Sequence, residues 1–454
     1  MKWITRALSV RHWNTDDLKQ VQDTKMGMSK YLRKTGVRLF IKPFLLLMTL
    51  FAFYLSLRSQ ITAQISSEVE RLRAQVNSIQ TKNGELFHIP DTVESEEVNS
   101  LPNIQHGTGT QRNHLEKTLV NIYKSKLKDI KVPPSTAKLS CDDEESIDRP
   151  CVDTRCKADF LQPQEENLVD VLRRQYPIPE KYMRVIEKMV DPRRDKTRIS
   201  FVTAASANHF YECQVLMKNL IENVFPSLSQ FRFYVYDLGL TPEQVLTLKK
   251  HCPVCILRKF PFSELPPVFS NLKSYTWKPT IIQAHLPVSK YVFWMDASVR
   301  FLVRNLTGIL ETVRNRGMMI SPSHVSTPLH TDPKMYDYFG VEPCQMSRFR
   351  EMEGTFLIFH NDVFTQNAIV LPWLACAFAP NCMYPFKEIP ASSSHYSCKT
   401  TQRKYGTCHR FDQAALSTIL IKIFADDVGY VLLKKNTINV NKRGEKIKFF
   451  PEDK

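Results

Sequence analysis

A strand pattern that ends at an aspartate, Tyr291-Val-Phe-Trp-Met-Asp296, restricts the fold of this chain more than any other feature. Because successive side chains of a strand point to opposite faces, a strand that is apolar at every position is buried on both faces, as in the interior of a parallel sheet. A carboxylate after such a strand is costly unless it lies at the edge of the sheet, where ligands of open α/β sheets bind. A core strand followed by a helix-capping aspartate accounts for the same residues.

Strand and helix patterns alternate in the C-terminal part of the chain. Apolar strand patterns, separated by helical patterns, occur at 198–205, 231–237, 254–260 and 291–295. Thr241, Pro242 and Gln244 form a capping-box sequence with proline at the first helical position, so a helix should begin there and run to about His251. Asp237 ends its strand beside Gly239, which favours a turn role. The alternation predicts a mostly parallel, three-layer α/β sheet.

Glycine is scarce, with thirteen residues among 454, and none belongs to a G-x-G-x-x-G or P-loop motif. A backbone cradle for phosphates is therefore missing. If the chain binds a diphosphate, a metal ion and basic side chains have to neutralise it instead.

An apolar stretch at 39–57, interrupted only by Lys42, predicts a single membrane span. Ten lysines and arginines against three acids occur up to residue 42, so the positive-inside rule places the N-terminus in the cytoplasm. These residues contribute about +7 of the formal +16, so no nucleic-acid partner is required. The stretch lacks a signal-peptidase pattern and should remain as a signal-anchor of a type II protein.

The predicted organisation is a basic cytoplasmic tail at 1–38, the span at 39–57, a stem at 58–140 and a luminal domain at 141–454. Apolar residues from Ile61 to Ile79 recur at coiled-coil spacing, which would let two stems form a homodimer; a single amphipathic helix explains the same spacing. The chain from 82 to about 134 is polar and is typical of a linker. All eleven cysteines follow the span, which favours disulfides in an oxidising lumen over a zinc site at Cys252-x-x-Cys255.

The order of several motifs resembles that of GT-A glycosyltransferases, and the segment from about Arg198 to Phe301 resembles a domain of unknown function that is expanded in nematodes. The motifs that carry this similarity are FVTAASANHF (201–210), FYVYDLGLTPEQ (233–244), YTWKPTIIQ (275–283) and YVFWMDASVRF (291–301). Three later motifs are similar to an acceptor-side loop, a second core strand and a late Asp-Gln helix: HTDPKMYDYFG (330–340), EGTFLIFH (353–360) and RFDQAALS (410–417).

The resemblance implies a GT-A-like three-layer α/β/α domain that binds a nucleotide sugar and a glycan acceptor with manganese or magnesium. Asp296 would take the first position of the D-x-D pair that ligates the cation. Ser298 stands where that pair has its second carboxylate, and a neutral hydroxyl is a poorer ligand for a hard cation. This serine is the main departure from the pattern, and it weighs against metal use.

Further donor-site candidates follow from the same resemblance. Ala205 and Asn208 follow the first strand, where the base and ribose would bind, although an ordinary strand-to-helix turn fits them equally. Lys278 and Arg300 could meet the diphosphate, or could be solvated surface charges.

Asp412 is the predicted catalytic acid or base, and Glu353 is its competitor. In a retaining enzyme Asp412 would orient the donor, and as a structural residue it would stabilise a helix N-terminus. Asn305 begins an N-x-T sequon and predicts a luminal glycan.

The sequence thus predicts a Golgi membrane glycosyltransferase. The alternative is a catalytically inactive domain of the same fold that binds glycans or a partner enzyme, which the D-x-S departure favours. A sulfotransferase would need a phosphate-binding loop that is absent from the sequence.

Overall fold

The computed structural model describes residues 109–128, 164–386, 398, 406 and 408–451. The predicted cytoplasmic tail, membrane span and coiled-coil segment lie outside these residues and stay predictions. None of the described helices is long and apolar enough to cross a membrane.

A six-stranded sheet in the order β3-β2-β1-β4-β7-β6 forms the centre of the fold, and β5 pairs with β8 in a separate ribbon. Strands β1 to β4 run parallel to one another, whereas β7 is antiparallel to both β4 and β6. The prediction of a mostly parallel α/β sheet is confirmed. The strands are β1 Thr197–Ala205, β2 Phe231–Asp237, β3 Cys255–Lys259, β4 Ser289–Met295, β5 Val299–Phe301, β6 Met318–Ser326, β7 Arg350–His360 and β8 Asn439–Asn441.

Helices cover both faces of this sheet. They are α1 Gly109–Lys128, α2 Gln164–Arg173, α3 Glu180–Lys188, α4 Phe210–Asn219, α5 Pro242–His251, α6 Trp277–His285, α7 Thr307–Arg316, α8 Pro333–Phe339, α9 Pro343–Ser347, α10 Leu371–Phe378 and α11 Phe411–Phe424. The motif at 330–340, predicted as a loop, contains helix α8, because Asp332 caps it through Lys334 N (3.0 Å).

Strand β4 shows why the sheet is a middle layer. Val292 and Trp294 pack into one hydrophobic core, whereas Tyr291, Phe293 and Met295 pack into a second core on the opposite face. The alternation of side chains along one strand therefore divides its apolar residues between two cores, as the three-layer arrangement requires.

Local signals in the sequence also predict the turn before α5. Thr241 Oγ1 accepts a hydrogen bond from Gln244 N, and the Gln244 side chain accepts one from Thr241 N, which completes the predicted capping box. The Asp237 carboxylate accepts hydrogen bonds from the backbone N–H groups of Gly239 and Leu240 (2.8 and 2.7 Å). The turn role predicted for Asp237 is thus what the structure shows.

Helix α1 lies within the segment predicted as a linker and before residue 141, where the sequence placed the start of the folded domain. Its side chains Leu115, Leu119 and Tyr123 are buried in the main core, and Tyr123 Oη donates to Ile423 O (2.9 Å). The helix is otherwise polar, so its single apolar stripe, at a spacing of four residues, is diluted in the composition of the segment.

Three disulfides join described cysteines: Cys252–Cys255, Cys376–Cys382 and Cys398–Cys408. The preference for disulfides is confirmed, since the C-x-x-C pair is bonded to itself. Cys213 is a buried thiol, and burial raises its pKa to about 12.

Candidate functional site

The carboxyl ends of β1 and β4 meet where the order of the sheet reverses. After β1 the chain adds β2 and β3 on one side, and it then returns to place β4 on the other side of β1. Thr203 Oγ1 donates to Met295 O (2.6 Å) and joins the two strand ends. Such a reversal opens a crevice at the carboxyl edge of the sheet, which is the usual ligand site of open α/β folds.

Asp296 is fixed at this edge by its backbone. Its N–H donates to Thr355 O (2.8 Å), which extends the pairing of β4 with β7, and its carbonyl accepts from Val299 N (3.0 Å), which closes a tight turn. The side chain is 30% exposed, and Oδ1 accepts a hydrogen bond from Trp294 Nε1 (2.8 Å). One carboxylate oxygen is therefore oriented by the protein while the side chain remains open to solvent.

Lys278 connects three elements at the site. Its Nζ lies 3.3 Å from Asp296 Oδ1 and 2.6 Å from Asp412 Oδ2, and it donates to Gly354 O (3.0 Å). The lysine comes from the first turn of α6 and the second aspartate from the first turn of α11. Lys278, Asp296 and Asp412 together form a charged cluster. Lys278 and Asp412 are buried, so Asp296 is its most accessible member.

Two carboxylates around one ammonium shift the protonation equilibria. Burial alone would lower the pKa of Lys278, but the negative charges of Asp296 and Asp412 outweigh it and hold this pKa above its ordinary value. Burial raises the pKa of Asp412, although the nearby ammonium opposes the rise. Asp412 is therefore a stronger proton acceptor than an exposed aspartate, and Lys278 remains a cation.

Gly354 lets the cluster close. A Cβ atom at this position would lie 2.8 Å from Asp412 Oδ2 and 3.6 Å from Lys278 Nζ. The first distance is too short for two non-bonded atoms, so the carboxylate would have to move. The Gly354 N–H donates to Gln413 Oε1 (3.3 Å), which joins β7 to the start of α11. The glycine is needed here for close approach of a backbone to two charged side chains.

Aromatic rings surround the ammonium. Lys278 Nζ lies 5.6 Å from the ring centre of Tyr275 and 5.5 Å from that of Trp294. Tyr275 is 37% exposed and has a left-handed backbone (φ 55°), and its ring lies 5.9 Å from that of Phe411. A partly exposed ring beside buried charges is a suitable platform for the apolar face of a sugar or for a base.

Glu353 does not join the charged cluster. Its carboxylate accepts hydrogen bonds from Lys435 Nζ (3.0 Å) and Asn441 Nδ2 (2.9 Å). It precedes Gly354 on β7, and adjacent strand residues point to opposite faces. The structure thus brings Lys278, Asp296 and Asp412 together and leaves Glu353 in a second polar group.

Arg300 lies behind the turn and is almost fully buried. Its guanidinium donates to Ala297 O (2.7 Å) and Val299 O (2.8 Å), and Nε pairs with Glu445 (3.0 Å). These partners within the protein fix the turn that holds Asp296 and Ser298. Of the two alternatives for Arg300, the solvated surface charge is therefore wrong, because the side chain is buried and paired within the protein.

The remaining predicted residues have simpler surroundings. Ala205 is buried, and its carbonyl accepts from Leu238 N (2.9 Å); Asn208 is exposed in a short 3-10 turn, where Oδ1 accepts from Ser206 Oγ (2.7 Å). Asn305 is also exposed, and its side chain accepts from Thr307 N (2.8 Å). All three border the loops at the carboxyl ends of β1 and β5.

The side chains around Asp296 do not fit a divalent cation well. Ser298 supplies only a neutral hydroxyl, and a cation on Asp296 would lie close to the Lys278 ammonium, with a repulsion on the order of several kcal/mol. Among the described residues, the one group of three metal-ligating side chains near enough to share an ion is His330, Cys398 and Cys408, and its two cysteines form a disulfide.

Sequence reasoning missed Gly354, Tyr275 and Trp294 as parts of the site. The sequence pattern places Trp294 only in the core strand, and it gives Tyr275, the first residue of the 275–283 motif, no role. Nothing in a single sequence marks Gly354 as the glycine that approaches two charges, because the partners lie far away along the chain.

Residues 168–283 match a family model described as a protein of unknown function (DUF1647). This agrees with the resemblance to a domain of unknown function for the part of the chain that precedes Asp296. No curated protein matches the chain.

Several solved structures are similar to part of the chain. The bifunctional glycosyltransferase WbbM matches with 12% identity and a TM-score of 0.27, over 39% of this chain and 35% of that one. The galactosyltransferase LgtC, in complex with donor and acceptor sugar analogs, matches with 14% identity and a TM-score of 0.25, over 37% of this chain and 59% of that one. In both, the match spans less than two thirds of the neighbour.

Core-mannan synthase A from Aspergillus fumigatus, in its Mn/GDP form, matches with 11% identity and a TM-score of 0.32, over 56% of this chain and 76% of that one. Each of these likenesses is partial and remote.

Proposed function

We propose that this protein is a glycosyltransferase that moves a sugar from a nucleotide-sugar donor to a glycan or glycoconjugate acceptor. The observation that carries the proposal is the Lys278 ammonium held between Asp296 and Asp412 at the carboxyl edge of the sheet. Buried charges are expensive, so a fold that keeps two of them beside an accessible carboxylate at a ligand-binding edge favours a polar substrate.

The nucleotide would lie in the crevice between β1 and β4. Ala205 ends β1 with a small side chain packed in the second hydrophobic core, and the exposed amide of Asn208 is within the next turn of chain. A small residue and a polar amide suit the close approach of a ribose and base. Tyr275 offers its exposed ring as the stacking surface on the other side of Lys278.

The donor sugar would bind at the charged cluster. Sugar hydroxyls both donate and accept hydrogen bonds, so a carboxylate and an ammonium at adjacent positions can hold two neighbouring hydroxyls in one orientation. Asp296, with its accessible side chain, and Asp412, with a pKa raised by burial, supply the accepting groups. This arrangement fixes the anomeric carbon relative to the leaving diphosphate.

In the reaction the acceptor oxygen bonds to the anomeric carbon while the bond from that carbon to the diphosphate oxygen breaks. The electron pair of the broken bond leaves with the diphosphate, and the acceptor hydroxyl loses its proton to a carboxylate or to the departing phosphate. We assign the Asp412 carboxylate to the donor sugar, whose anomeric carbon reacts. Glu353, whose oxygens are already held by Lys435 and Asn441, is assigned to the acceptor side.

We extend the proposal to a type II Golgi membrane protein with a luminal catalytic domain. Support comes from the three disulfides among the described cysteines, which form in oxidising compartments, and from the exposure of the Asn305 sequon. The predicted span at 39–57 is the remaining support and rests on sequence alone.

The test is release of nucleoside diphosphate from UDP-glucose, UDP-galactose, UDP-N-acetylhexosamines and GDP-mannose by the purified full-length chain, with and without a glycan mixture. We expect one donor to be consumed faster when the acceptor is present. Asp412→Asn, which keeps the size of the side chain, should lower kcat by about 10²-fold or more. Glu311→Gln, an exposed change on α7, is the matched control.

A folded protein that binds a glycan but consumes no donor would overturn the transferase proposal and support the inactive binding domain. Equal turnover by wild type and Asp412→Asn would retain the activity and remove Asp412 from the reaction. The mass of the reaction product identifies the transferred sugar in the successful case.

A further inference from the structure

The segment after β8 is fastened beside the Asp296 turn at its start. Asn441 pairs with Val299 across the β5–β8 ribbon, and Lys442 N donates to Ser298 O (2.8 Å). The main chain of this C-terminal segment, residues 441–450, therefore begins directly opposite the D-x-S turn.

The far end of the C-terminal segment is fastened to helix α4. The N–H groups of Phe449 and Phe450 both donate to Gln214 Oε1 (2.7 and 2.9 Å), and Gln214 is almost fully buried. Phe450 itself is buried in the second hydrophobic core. The segment is thus held at both ends by the folded domain.

Its middle is held as well. Gly444 N donates to the buried Glu212 carboxylate (2.9 Å), and Glu445 pairs with Arg300 (3.0 Å). Gly444 has φ +78°, a conformation that glycine adopts without strain, so the chain can turn here. A segment with this many anchors keeps its backbone in a defined place beside the Asp296 turn.

The cations of the C-terminal segment remain outside this network. Lys442, Arg443 and Lys446 are exposed, and none forms an ion pair with another part of the chain that the structure describes. The positive charge of Arg443 opposes, more weakly than that of Lys278, the rise in the pKa of Tyr275 that burial causes. Tyr275 in turn stands beside Lys278. Fixed backbone and unpaired cations at the edge of a cleft are the requirements of an anion site.

The geometry points to Lys442 and Arg443 as the groups that bind the donor diphosphate, so that donor binding needs no divalent cation. This inference rests on the proposed function and specifies its donor site. The neutral Ser298 and the ammonium beside Asp296 make the opposite turn a weak metal site, and the C-terminal segment places positive charge on the other side of the same turn.

Side-chain cations can perform the electrostatic role of a metal here. A guanidinium donates two parallel hydrogen bonds to phosphate oxygens, and an ammonium adds a point charge. As the bond to the sugar breaks, negative charge grows on the diphosphate, and cations already in place stabilise it without reorganisation. The diphosphate leaves with the electron pair of the broken bond, and no additional reactant is required.

The experiment measures binding of uridine, guanosine and cytidine diphosphates to the purified full-length chain by calorimetry, once in EDTA and once with manganese. The variant is Lys442→Ala with Arg443→Ala. The matched control is Lys188→Ala with Arg193→Ala, which removes the same two charges from exposed positions before β1, at the opposite edge of the sheet.

We expect one nucleotide to bind in EDTA with an affinity that manganese changes by less than about threefold, and we expect the double variant to weaken it by about tenfold or more. The control should bind as the wild type does. Binding that requires manganese and is unaffected by Lys442→Ala with Arg443→Ala would overturn this inference and leave the proposed function standing. A folded wild-type protein that binds none of the nucleotides in either condition would overturn both.

Discussion

Lys278 Nζ lies 2.6 Å from Asp412 Oδ2, and less than a tenth of either side chain is exposed. The pair joins helices α6 and α11, whose first residues, 277 and 411, lie 134 positions apart in the sequence. A buried ion pair is retained at a cost in desolvation, so its presence at the sheet edge is more informative about binding than about stability.

Lys278→Met tests this relationship in the folded protein. The change keeps the length of the side chain but leaves Asp412 buried without its counter-charge, so we expect the free energy of unfolding to fall by about 3–5 kcal/mol. Urea unfolding followed by circular dichroism measures it. In the Lys278→Met background, Asp412→Asn should recover part of the loss because it removes the orphaned charge.

The control for that series is Arg184→Met, since Arg184 and Glu180 form an ion pair on α3 with both side chains about two-thirds exposed. Solvent and salt screen such a pair, so no measurable change is expected. A loss for Lys278→Met no larger than for Arg184→Met would show that the buried pair is not coupled to folding.

Gly354→Ala should disturb the same cluster through space alone. The added Cβ would lie 2.8 Å from Asp412 Oδ2, and because the surrounding backbone is fixed by β7, the carboxylate has to move. We expect a loss of about 1–3 kcal/mol in stability, typical of an overpacked site, together with weaker donor binding. Thermal unfolding and nucleotide calorimetry measure the two effects.

Gly308→Ala is the matched glycine, because no atom lies within 4 Å of the Cβ that it would add. This change should leave stability unchanged or slightly higher, since alanine lowers the entropy of the unfolded chain. If Gly354→Ala behaves as Gly308→Ala does, the close approach at Gly354 has no energetic consequence.

The sheet and its edge could be predicted from the sequence because the signals are local. The apolar run before Asp296, the capping box at Thr241 and the turn residue Asp237 each depend on neighbours within a few positions. Helix α1 escaped detection because only Leu115, Leu119 and Tyr123 mark its buried face. Its stability comes from packing against residues that are distant in the sequence, and the composition of the segment does not reveal these contacts.

The site was predictable as a set of candidates and not as an arrangement. Lys278, Asp296 and Asp412 were each singled out, yet only the tertiary structure shows that one ammonium serves both carboxylates. Arg300 was a cationic candidate for the diphosphate as Lys278 was, but its guanidinium binds two backbone carbonyls and Glu445 instead. Residue type indicates what a side chain can bind, whereas its partners are set by contacts across the chain.

Acid should destabilise the fold through two buried histidines. Burial lowers the pKa of His285 to about 3 and that of His409 to about 4, so the folded protein binds these protons less readily than the unfolded chain does. The stabilisation is complete above the unfolded pKa of about 6.5, and it is lost progressively as the pH falls from there through about 4 for His409 and about 3 for His285. The free energy of unfolding should therefore fall with pH across this range.

His409→Gln isolates one of the two contributions. His409 Nδ1 accepts from Asp332 N (3.1 Å), and glutamine offers an acceptor that stays neutral. Relative to wild type, the variant should lose less stability between pH 6.5 and pH 4, by about 3 kcal/mol, while the difference between the two proteins stays constant above pH 7. Parallel curves for both proteins throughout this range would remove His409 as a source of acid sensitivity.

The Cys252–Cys255 disulfide connects the end of α5 to the start of edge strand β3, and the backbone between them closes a turn in which Cys255 N donates to Cys252 O (3.0 Å). Replacing both cysteines by serine should lower the free energy of unfolding by about 2 kcal/mol, since the closed loop is short. Each single serine variant should lose a similar amount, because either one breaks the bond.

A zinc site at this C-x-x-C would behave differently: the wild-type protein would carry zinc detectable by mass spectrometry, and a chelator would destabilise it as much as the double substitution does. We expect no zinc in the purified protein and no effect of EDTA on its thermal unfolding, whereas a reducing dithiol, which also opens the other two described disulfides, should cost at least as much stability as the serine variants do.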